Sequence, residues 1–344
     1  MENTWQIAVL LPCYNEGKSI AQVVVNFRKA LPSAQIYVYD NNSTDDTAAQ
    51  ASLAGAKVVP CRRRGKGNVV RQMFADIEAD IYVMADGDGT YDHTKAPTLI
   101  QSMIDEGADM AVGKRRYKEV SAERKGHAWG NRTFNRIYQA LFADDFTDIF
   151  SGYRAFTRRY VKSFPAESQG FEIETEMSVH ASVLRLPVVE LEFDYGKRSE
   201  GSESKLSTVR DGIRILTTMI MLMKETKPFR FFGILSAVFF FSSIAFMFPV
   251  LVEYFNTGLV DRIPTWVLAM TLFTAGMMAM TAGTILDSVA RGRAEQRRVH
   301  YLSISPLKTS PSLDGVEILF PRTSGKVNQG HALEAHYRTG GSVE

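Results

Sequence analysis

Short apolar runs alternate with helical stretches through the first half of the chain. Runs at 7–11, 36–39, 57–60 and 81–85 have the length of buried strands, and an amphipathic stretch follows each of the first three. Because parallel strands need long crossover connections, this alternation predicts an α/β fold with a mainly parallel sheet. Ligands bind outside the carboxyl ends of the strands in such sheets, so we expect the polar clusters there to form a site.

The pattern loosens after residue 113. It predicts, in order, a basic helix at about 123–142, a turn into a strand at 148–154, a helix at 171–184, a strand at 188–193 and a helix at 207–224. The last helix places four apolar residues on one side: Ile213, Leu216, Ile220 and Met223. That face indicates either a helix in a membrane interface or ordinary core packing, and the pattern leaves both open. Past His300 the chain is rich in Ser, Pro and Gly, and we expect no regular structure there.

Two long apolar runs set this chain apart from ordinary soluble proteins. No charged residue occurs between Arg230 and Glu253, and none occurs between Arg262 and Asp287. At a rise of about 1.5 Å per residue, each run as a helix exceeds the roughly 30 Å of a bilayer's hydrocarbon core. Gly258 lies in the short polar link between them, so the pair predicts a transmembrane helical hairpin.

The charges that flank the hairpin predict its orientation. Basic residues cluster on both outer flanks: Lys224, Lys227, Arg230, Arg291, Arg293, Arg297 and Arg298. The positive-inside bias then places the N-terminal domain and both termini in the cytoplasm, and we expect an integral protein of a bacterial inner membrane. The predicted organisation is a domain over 1–206, an interfacial helix over 207–228, the hairpin over 229–290 and a largely disordered cytoplasmic tail over 291–344. Such hairpins can pack together, so a homo-oligomer is also an expectation.

The overall charge is nearly balanced, but one basic segment indicates an anionic partner. The 344 residues carry 40 Lys and Arg against 38 Asp and Glu, a formal net charge of +2. Between Lys114 and Arg136, however, eight Lys and Arg stand against two Glu. Aromatic residues that could stack on bases are few there, and the hairpin argues against nucleic acid as a partner. A lipid phosphate or an anionic headgroup fits that segment better.

Asp86-Gly87-Asp88 is the sharpest local signal for chemistry. Two carboxylates flank a glycine at the end of an apolar strand, so both can point into one crevice. A hard divalent cation that joins them to a diphosphate would relieve their mutual repulsion. Two acids in a solvated loop are the plain alternative, and the position at a strand end favours the metal site.

Two further polar segments lie after predicted strands. Asp40 can accept hydrogen bonds from a base or from ribose hydroxyls, or it can be an ordinary turn residue. The basic segment 62–68 contains glycines and leads into a helix, so it can hold phosphate through charge and helix N–H groups, or it can be a solvated loop. It lacks the spacing of a Walker P-loop.

Taken together, these segments resemble the family 2 glycosyltransferases of the GT-A fold. The matching motifs are Leu11-Pro12-Cys13-Tyr14-Asn15-Glu16, Asp40-Asn41-Asn42-Ser43-Thr44-Asp45, Gly65-Lys66-Gly67, Asp86-Gly87-Asp88, Ser151-Gly152-Tyr153-Arg154 and Ser204-Lys205-Leu206. They follow one another over residues 7–206 and precede the hairpin. This arrangement is similar to the polyisoprenyl-phosphate glycosyltransferases, which include dolichyl-phosphate mannose synthases and bactoprenyl glucosyltransferases.

The resemblance implies roles for particular residues. Nucleotide-binding residues would be Pro12, Tyr14, Asn15, Glu16, Asp40, Asn42, Lys66 and Asp86. Asp86 and Asp88 would bind Mg²⁺ or Mn²⁺, and the catalytic residues would be Asp88, Arg115, Arg132 and Glu174. The acceptor phosphate would contact Arg116, Arg154, Arg198 and Lys205. This chain departs from the family pattern in two places. Two residues after the second acid, relatives often have Gln and this chain has Thr90, which leaves the third metal ligand open. The spacing from Arg198 to Lys205 is about one residue longer than in relatives.

The implied reaction is inverting transfer of a sugar from a nucleotide-sugar to a polyisoprenyl phosphate. A phosphate monoester, with a second pKa of about 6, is largely ionised at neutral pH and needs no strong general base. If a base is used, the candidates are Asp148, Glu172, Glu174 and Glu176. A UDP-sugar is the expected donor and a GDP-sugar the alternative.

Three other functions are weighed against this one. A processive polysaccharide synthase would have a Gln-x-x-Arg-Trp segment before the spans, and the three tryptophans do not form one. A second alternative is a family 2 transferase that acts on a different membrane acceptor. A third is an inactive membrane scaffold that binds nucleotide-sugar, which the two acids at 86 and 88 disfavour.

Overall fold

Seven strands and ten α-helices make up the described part of the chain. The computed structural model describes residues 5–117, 125–142, 146–196 and 208–307, with side chains throughout except at 117, 125–132 and 208–211. The strands are β1 (Ile7–Cys13), β2 (Gln35–Asp40), β3 (Lys57–Pro60), β4 (Ile81–Met84), β5 (Met110–Tyr117), β6 (Arg154–Thr157) and β7 (Val188–Tyr195). The helices are α1 (Ile20–Ala30), α2 (Thr47–Leu53), α3 (Lys66–Asp76), α4 (Ala96–Asp105), α5 (Lys125–Leu141), α6 (Arg158–Ser163), α7 (Ile173–Leu184), α8 (Thr208–Thr226), α9 (Pro228–Thr257) and α10 (Ile263–Ser303).

The strands form one mixed sheet in the order β3-β2-β1-β4-β6-β5-β7. Neighbouring strands are parallel except at β6, which runs antiparallel to both β4 and β5. Because β6 is reversed, its first residue, Arg154, pairs with Met84 at the carboxyl end of β4. The segment that leads into β6 therefore reaches the same sheet edge as the loop after β4. The predicted α/β fold with a mainly parallel sheet is confirmed.

Alternate residues of the central strands build two separate hydrophobic layers. On β1, Leu10 belongs to the layer that contains α3, α6 and α7, whereas Val9 and Leu11 belong to the layer that contains α1 and α4. All three are fully buried. This alternation follows from the two-residue period of a strand, and both faces are apolar because helices cover both. Helices therefore cover both faces of the sheet, and ligands can approach it at the carboxyl ends of its strands.

The helix α8 has one wide apolar stripe, of which one edge is buried and the other is exposed. Met219 and Met223 are buried against the catalytic core. Ile213, Leu216 and Ile220, by contrast, are 62%, 40% and 44% exposed. The four residues predicted on one side lie within one arc of the helix, and Met223, at the edge of that arc next to Met219, is the one that the core buries. Core packing and an exposed apolar face thus coexist on one helix.

The helices α9 and α10 form a hairpin joined through small residues. Both are long and apolar enough to cross a membrane. Ser236 Oγ donates to the carbonyl of Gly276 at 2.8 Å, and Ser243 Oγ donates to the carbonyl of Ala269 at 2.7 Å. Gly283 is also buried in this contact, where it faces Phe232. Small residues at intervals of seven let the two backbones approach closely, which is how apolar helices associate in lipid.

The end of α10 docks on the catalytic domain, which the sequence did not predict. We expected a largely disordered tail from 291 and no regular structure past His300, but the helix continues to Ser303. Tyr301 Oη donates to Asp109 Oδ2 at 2.5 Å, and Arg159 Nε donates to the carbonyl of Ile304 at 3.1 Å. The prediction of a disordered tail was wrong from 291 to 303, because these contacts stabilise the helix there. Residues 308–344 lie outside the described residues.

Replacing Tyr301 by Phe should lower the free energy of unfolding by about 2 kcal/mol. The substitution removes the hydrogen bond that Tyr301 Oη donates to the buried carboxylate of Asp109 and the longer one that it accepts from Arg159 Nη1 at 3.3 Å. It leaves the ring on the guanidinium of Arg159. Urea unfolding of the detergent-solubilised protein, followed by circular dichroism, measures the difference. Tyr254→Phe is the control, because that side chain is half exposed near the far end of α9. Equal stability of the two variants would contradict the docking role.

Candidate functional site

The candidate site lies at the carboxyl edge of the sheet, where β1, β2 and β4 end. Cys13, at the end of β1, stands beside Asp40, at the end of β2. Asp86 follows β4 after one residue, and the reversed strand β6 brings Gly152 beside it. Gly152 is held there because its N–H donates to the buried hydroxyl of Tyr91 at 2.9 Å. Topology alone thus gathers four of the sequence motifs around one crevice.

The centre of this crevice is an ion triad of Lys66, Asp86 and Glu174. The Nζ of Lys66 lies 2.5 Å from Asp86 Oδ1 and 2.5 Å from Glu174 Oε1. Burial lowers the pKa of Lys66, but the two carboxylates outweigh it and raise the pKa above its usual range. Burial also raises the pKa of Glu174, and Lys66 only partly offsets this. Two carboxylates, one from the loop after β4 and one from the start of α7, therefore share the single positive charge at the start of α3.

Asp88 is buried and oriented by its own loop. Its Oδ1 accepts hydrogen bonds from the N–H of Thr90 at 3.1 Å and from the hydroxyl of Thr90 at 2.6 Å. Thr90, which stands where relatives often have Gln, therefore supports the carboxylate. This role for Thr90 was missed, although an acid two residues before Thr is a common side-chain turn and could have indicated it.

The loops that would face a nucleobase are braced by asparagines. Asn15 Oδ1 accepts from the N–H of Thr44 at 2.8 Å, which fixes the loop after β2 to the loop after β1. Asn42 Nδ2 donates to the carbonyl of Cys61 at 3.0 Å, and Asn41 Nδ2 donates to the carbonyl of Arg63 at 2.7 Å. Asn15 and Asn42, expected as nucleotide ligands, thus use these groups to hold loops together.

The other expected nucleotide residues surround the same loops. Pro12 and Tyr14 are partly buried, and Glu16 is buried. The N–H of Glu16 donates to Thr47 Oγ1 at 2.8 Å, and Asp40 Oδ1 accepts from the N–H of Ser43 at 3.3 Å. These residues lie together at the carboxyl ends of β1 and β2, and their nucleotide contacts remain a prediction.

The two arginines of β5 have acidic partners of very different exposure. Arg115 makes a two-pronged pair with Asp148, with Nε–Oδ2 at 2.8 Å and Nη2–Oδ1 at 2.7 Å. Although burial of Asp148 acts to raise its pKa, this pair and backbone N–H groups lower it below the usual range. Arg116 pairs with Asp194 at 2.6 Å, and its side chain is 62% exposed. Asp148 is therefore held as the counter-ion of Arg115, which leaves it poorly suited to act as a base.

Arg154 does not reach the crevice, which corrects its expected role with the acceptor phosphate. The residue is fully buried. Its guanidinium donates to the carbonyls of Ser151 and Ile149, both at 2.9 Å, and to Ser178 Oγ at 3.1 Å. These contacts fold the segment before β6 over the sheet. The arginine is thus an internal brace, and its charge is turned inward by three acceptors that the sequence pattern does not reveal.

The three glutamates near the start of α7 have separate surroundings. Glu176 accepts two backbone N–H groups, from Glu167 and Ser168, both at 2.7 Å, so it holds the preceding loop. Glu172 accepts from the N–H of Gly170 at 3.1 Å. Glu174 alone belongs to the ion triad with Lys66. The candidate base nearest the crevice is therefore Glu174.

Three expected site residues, one of them catalytic and two of them ligands of the acceptor phosphate, cannot be placed in the site. Arg132 belongs to α5, but its side chain lies outside the described residues. Arg198 and Lys205 lie in 197–207, which is also outside them. Their roles stay predictions. Glu174 and Lys66 could not have been paired from sequence, because a helix start and a loop far apart along the chain meet only in the folded sheet.

The acids present fit a divalent cation that is shared with a bound ligand. Among the described residues, no group of three or more His, Cys, Asp or Glu side chains forms a metal site of protein ligands alone. Asp86 and Asp88 offer oxygen ligands, and Mg²⁺ or Mn²⁺ commonly takes its further ligands from phosphates and water. Asp86 is partly exposed, so one of its carboxylate oxygens can be reached by a ligand although Oδ1 contacts the ammonium of Lys66.

Comparison with known proteins identifies relatives over most of the catalytic part. Residues 8–164 match the family described as Glycosyl transferase family 2. The chain is 36% identical over 230 residues to the glycosyltransferase AglJ of Haloferax volcanii, covering 66% of this chain and 75% of AglJ. It is 27% identical over 216 residues to an undecaprenyl-phosphate mannosyltransferase of Micrococcus luteus, covering 59% of this chain and 88% of that protein.

Among solved structures, the chain is similar to glucosyl-3-phosphoglycerate synthase of Mycobacterium tuberculosis, crystallised with Mn²⁺, UDP-glucose and phosphoglyceric acid. The TM-score is 0.54 at 21% sequence identity, and the match covers 64% of this chain and 80% of the synthase. At this identity the likeness shows a common fold.

Proposed function

The chain belongs to glycosyl transferase family 2 and is a glycosyltransferase that uses a nucleotide-sugar, and we propose that its acceptor is the phosphate of a polyisoprenyl lipid. The observation that carries the proposal is the attachment of an apolar helical hairpin to a catalytic domain whose crevice holds Asp86, Asp88 and Lys66. The relative named as an undecaprenyl-phosphate mannosyltransferase supports the same acceptor class. A soluble acceptor would not require such a hairpin.

The donor end of the site is proposed to bind a nucleoside diphosphate sugar with Mg²⁺ or Mn²⁺. Asp86 and Asp88 would hold the cation, which supplies charge to stabilise the departing diphosphate. The synthase of the same fold was crystallised with Mn²⁺ and UDP-glucose, which supports a UDP-sugar ahead of a GDP-sugar. Pro12, Tyr14, Glu16 and Asp40 would border the nucleoside, while Asn15 and Asn42 keep their loops in place.

The acceptor end needs positive charge more than a strong base. A phosphate monoester arrives as an anion, so the enzyme must reduce its repulsion from the diphosphate. Arg115 is pre-positioned by Asp148, and Arg116 is exposed beside it at the end of β5. We assign them, with Arg132, Arg198 and Lys205, to the phosphates of acceptor and donor. Attack on the anomeric carbon opposite the leaving group would invert its configuration.

The membrane placement follows from α8 and the hairpin. The exposed face of Ile213, Leu216 and Ile220 would lie in the interface, because exposed aliphatic residues next to a membrane span are stabilised there. Lys227, between α8 and α9, donates to the carbonyls of Leu141 and Phe142 at 3.0 and 2.7 Å. These hydrogen bonds fix the start of the first apolar helix, α9, to the end of α5. The basic flanks favour the catalytic domain on the cytoplasmic side.

A donor panel tests this function. Detergent-solubilised protein is incubated with Mn²⁺, undecaprenyl phosphate and radiolabelled UDP- and GDP-sugars, and label is measured in the organic extract. We expect labelled lipid with one donor, loss of it with EDTA and its return with added Mn²⁺. If every donor fails although UDP or GDP binds, the nucleotide-binding scaffold replaces the transferase proposed here. Label that enters a lipid other than the supplied phosphate would indicate a different membrane acceptor.

A further inference from the structure

The ion triad contains a charge arrangement that the proposed transfer reaction does not by itself explain. Lys66 lies at the first turn of α3, Asp86 follows β4, and Glu174 lies at the start of α7. The side chains of Lys66 and Glu174 are 9% and 6% exposed, whereas that of Asp86 is 31% exposed. The most accessible member is thus the carboxylate that also belongs to the proposed metal site.

Lys66 and a divalent cation would compete for the same oxygen. The Nζ of Lys66 is in direct contact with Asp86 Oδ1, and a metal ion bound to that atom would face the ammonium at close range. Like charges in a partly buried site repel strongly, because little water screens them. A second anion at the site would remove the conflict, since it could take the ammonium while the metal takes Asp86.

The surrounding backbone allows the side chain of Lys66 to move while its attachment stays fixed. The N–H of Gly67 donates to the carbonyl of Gly170 at 3.1 Å, so the start of α3 is fixed to the loop before α7. Gly152 packs closely against this pair: a Cβ there would lie 3.2 Å from Lys66 Nζ and 2.9 Å from Asp86 Oδ2, too near to be accommodated without a shift. The side chain of Asp86 is 31% exposed, so the flexible four-carbon stem of Lys66 can turn the ammonium toward that exposed side.

We propose that Lys66 is the internal counter-ion of Asp86 in the donor-free protein and that it transfers to the diphosphate when the nucleotide binds. The inference rests on the proposed function only in taking the ligand to be a nucleoside diphosphate. Metal binding and nucleotide binding are then positively coupled, and each raises the affinity of the other by the same factor. Glu174 retains the ammonium near the site throughout, so it is a positioning residue for Lys66.

Mn²⁺ binding without any nucleotide tests the competition directly. Free Mn²⁺ is measured by electron paramagnetic resonance while the full detergent-solubilised chain is titrated, first alone and then with UDP or GDP. We expect Lys66→Met to bind Mn²⁺ alone about tenfold more tightly than the unmodified protein does, since the competing cation is gone. The enhancement of Mn²⁺ binding by nucleotide should shrink by about the same factor in that variant.

Arg64→Met is the matched control, because it removes one positive charge from an exposed residue of the same loop. It should change Mn²⁺ affinity by less than about twofold, since exposed charges are well screened. Lys66→Gln, whose amide can still donate to a carboxylate, provides a second neutral variant if Lys66→Met fails to fold. Mn²⁺ affinity that is unchanged or weaker in the neutral variants would overturn the proposal. Because the titration of Mn²⁺ alone uses no donor and no acceptor, its result is independent of the transfer assay.

Discussion

Asp88→Asn should lower the turnover number about a thousandfold while the fold stays intact. The substitution keeps the shape of the side chain, and an amide oxygen can still accept from the N–H and the hydroxyl of Thr90. What is lost is the negative charge that, in this account, holds a divalent cation on the diphosphate. Transfer of label to lipid under saturating donor and acceptor measures the effect.

Asp92→Asn is the control for that experiment, because Asp92 repeats the local geometry of Asp88. Its Oδ1 accepts from the N–H of Thr94 at 3.1 Å and from the hydroxyl of Thr94 at 2.6 Å, but this turn is exposed. We expect near-normal turnover from Asp92→Asn and the same unfolding midpoint from both variants. Comparable turnover in the two variants would remove Asp88 from the catalytic residues.

Asp148→Asn should cost about 3 to 5 kcal/mol in the free energy of unfolding, the largest stability effect that we predict. The side chains of Arg115 and Asp148 are 13% and 9% exposed, and removing one charge leaves the other poorly compensated. Urea unfolding at neutral pH measures the loss. Turnover should also fall, since Arg115 would lose the partner that orients it.

Asp194→Asn provides a matched comparison, since Arg116 is the neighbour of Arg115 on β5 and pairs with Asp194 of the adjacent strand β7. That pair is exposed on the Arg116 side, where solvent screens it, so its loss should destabilise the fold far less than loss of the buried pair. If Asp148→Asn were no more destabilising than Asp194→Asn, the buried pair would not be a principal support of the site.

The same pair predicts a dependence of stability on pH. Because the pKa of Asp148 is lower in the folded protein than in the unfolded chain, its contribution is fully present above about pH 4. It is lost as the pH falls through the lowered folded pKa. Unfolding curves of the unmodified protein should therefore show a steeper acid loss than those of Asp148→Asn. An equal loss of stability with falling pH in the two proteins would contradict the lowered pKa of Asp148.

The first half of the fold could be predicted from the sequence because local signals and topology agree there. The run at 57–60 matches β3, and the apolar run at 81–85 ends one residue after β4. Parallel strands place their carboxyl ends at one edge, so the positions of Asp40 and Asp86 followed directly. The strand β5 and the helices α4 and α6 were missed. A turn into a strand was predicted at 148–154, but the antiparallel direction of β6 was not, because the turn before it gives no sign of strand direction.

The remaining differences between the sequence-based predictions and the structure come from side-chain contacts that local sequence patterns do not show. Arg154 was expected at a phosphate from the family resemblance, yet backbone carbonyls of its own segment bind it inside the core. The extension of α10 past His300 depends on Asp109 and Arg159, which no local pattern connects to it. Such pairings arise only when distant elements pack, so periodicity cannot reveal them.

The most direct test of the central claim compares three acceptors with the donor that the panel identifies. Undecaprenyl phosphate, undecaprenyl diphosphate and undecaprenol are each incubated with the protein, Mn²⁺ and that donor, and the lipid products are analysed by mass spectrometry. We expect a product only from undecaprenyl phosphate, with the mass of the acceptor plus one sugar residue. Equal transfer to undecaprenol, or no lipid product from undecaprenyl phosphate, would contradict the assignment of a lipid phosphate as the acceptor.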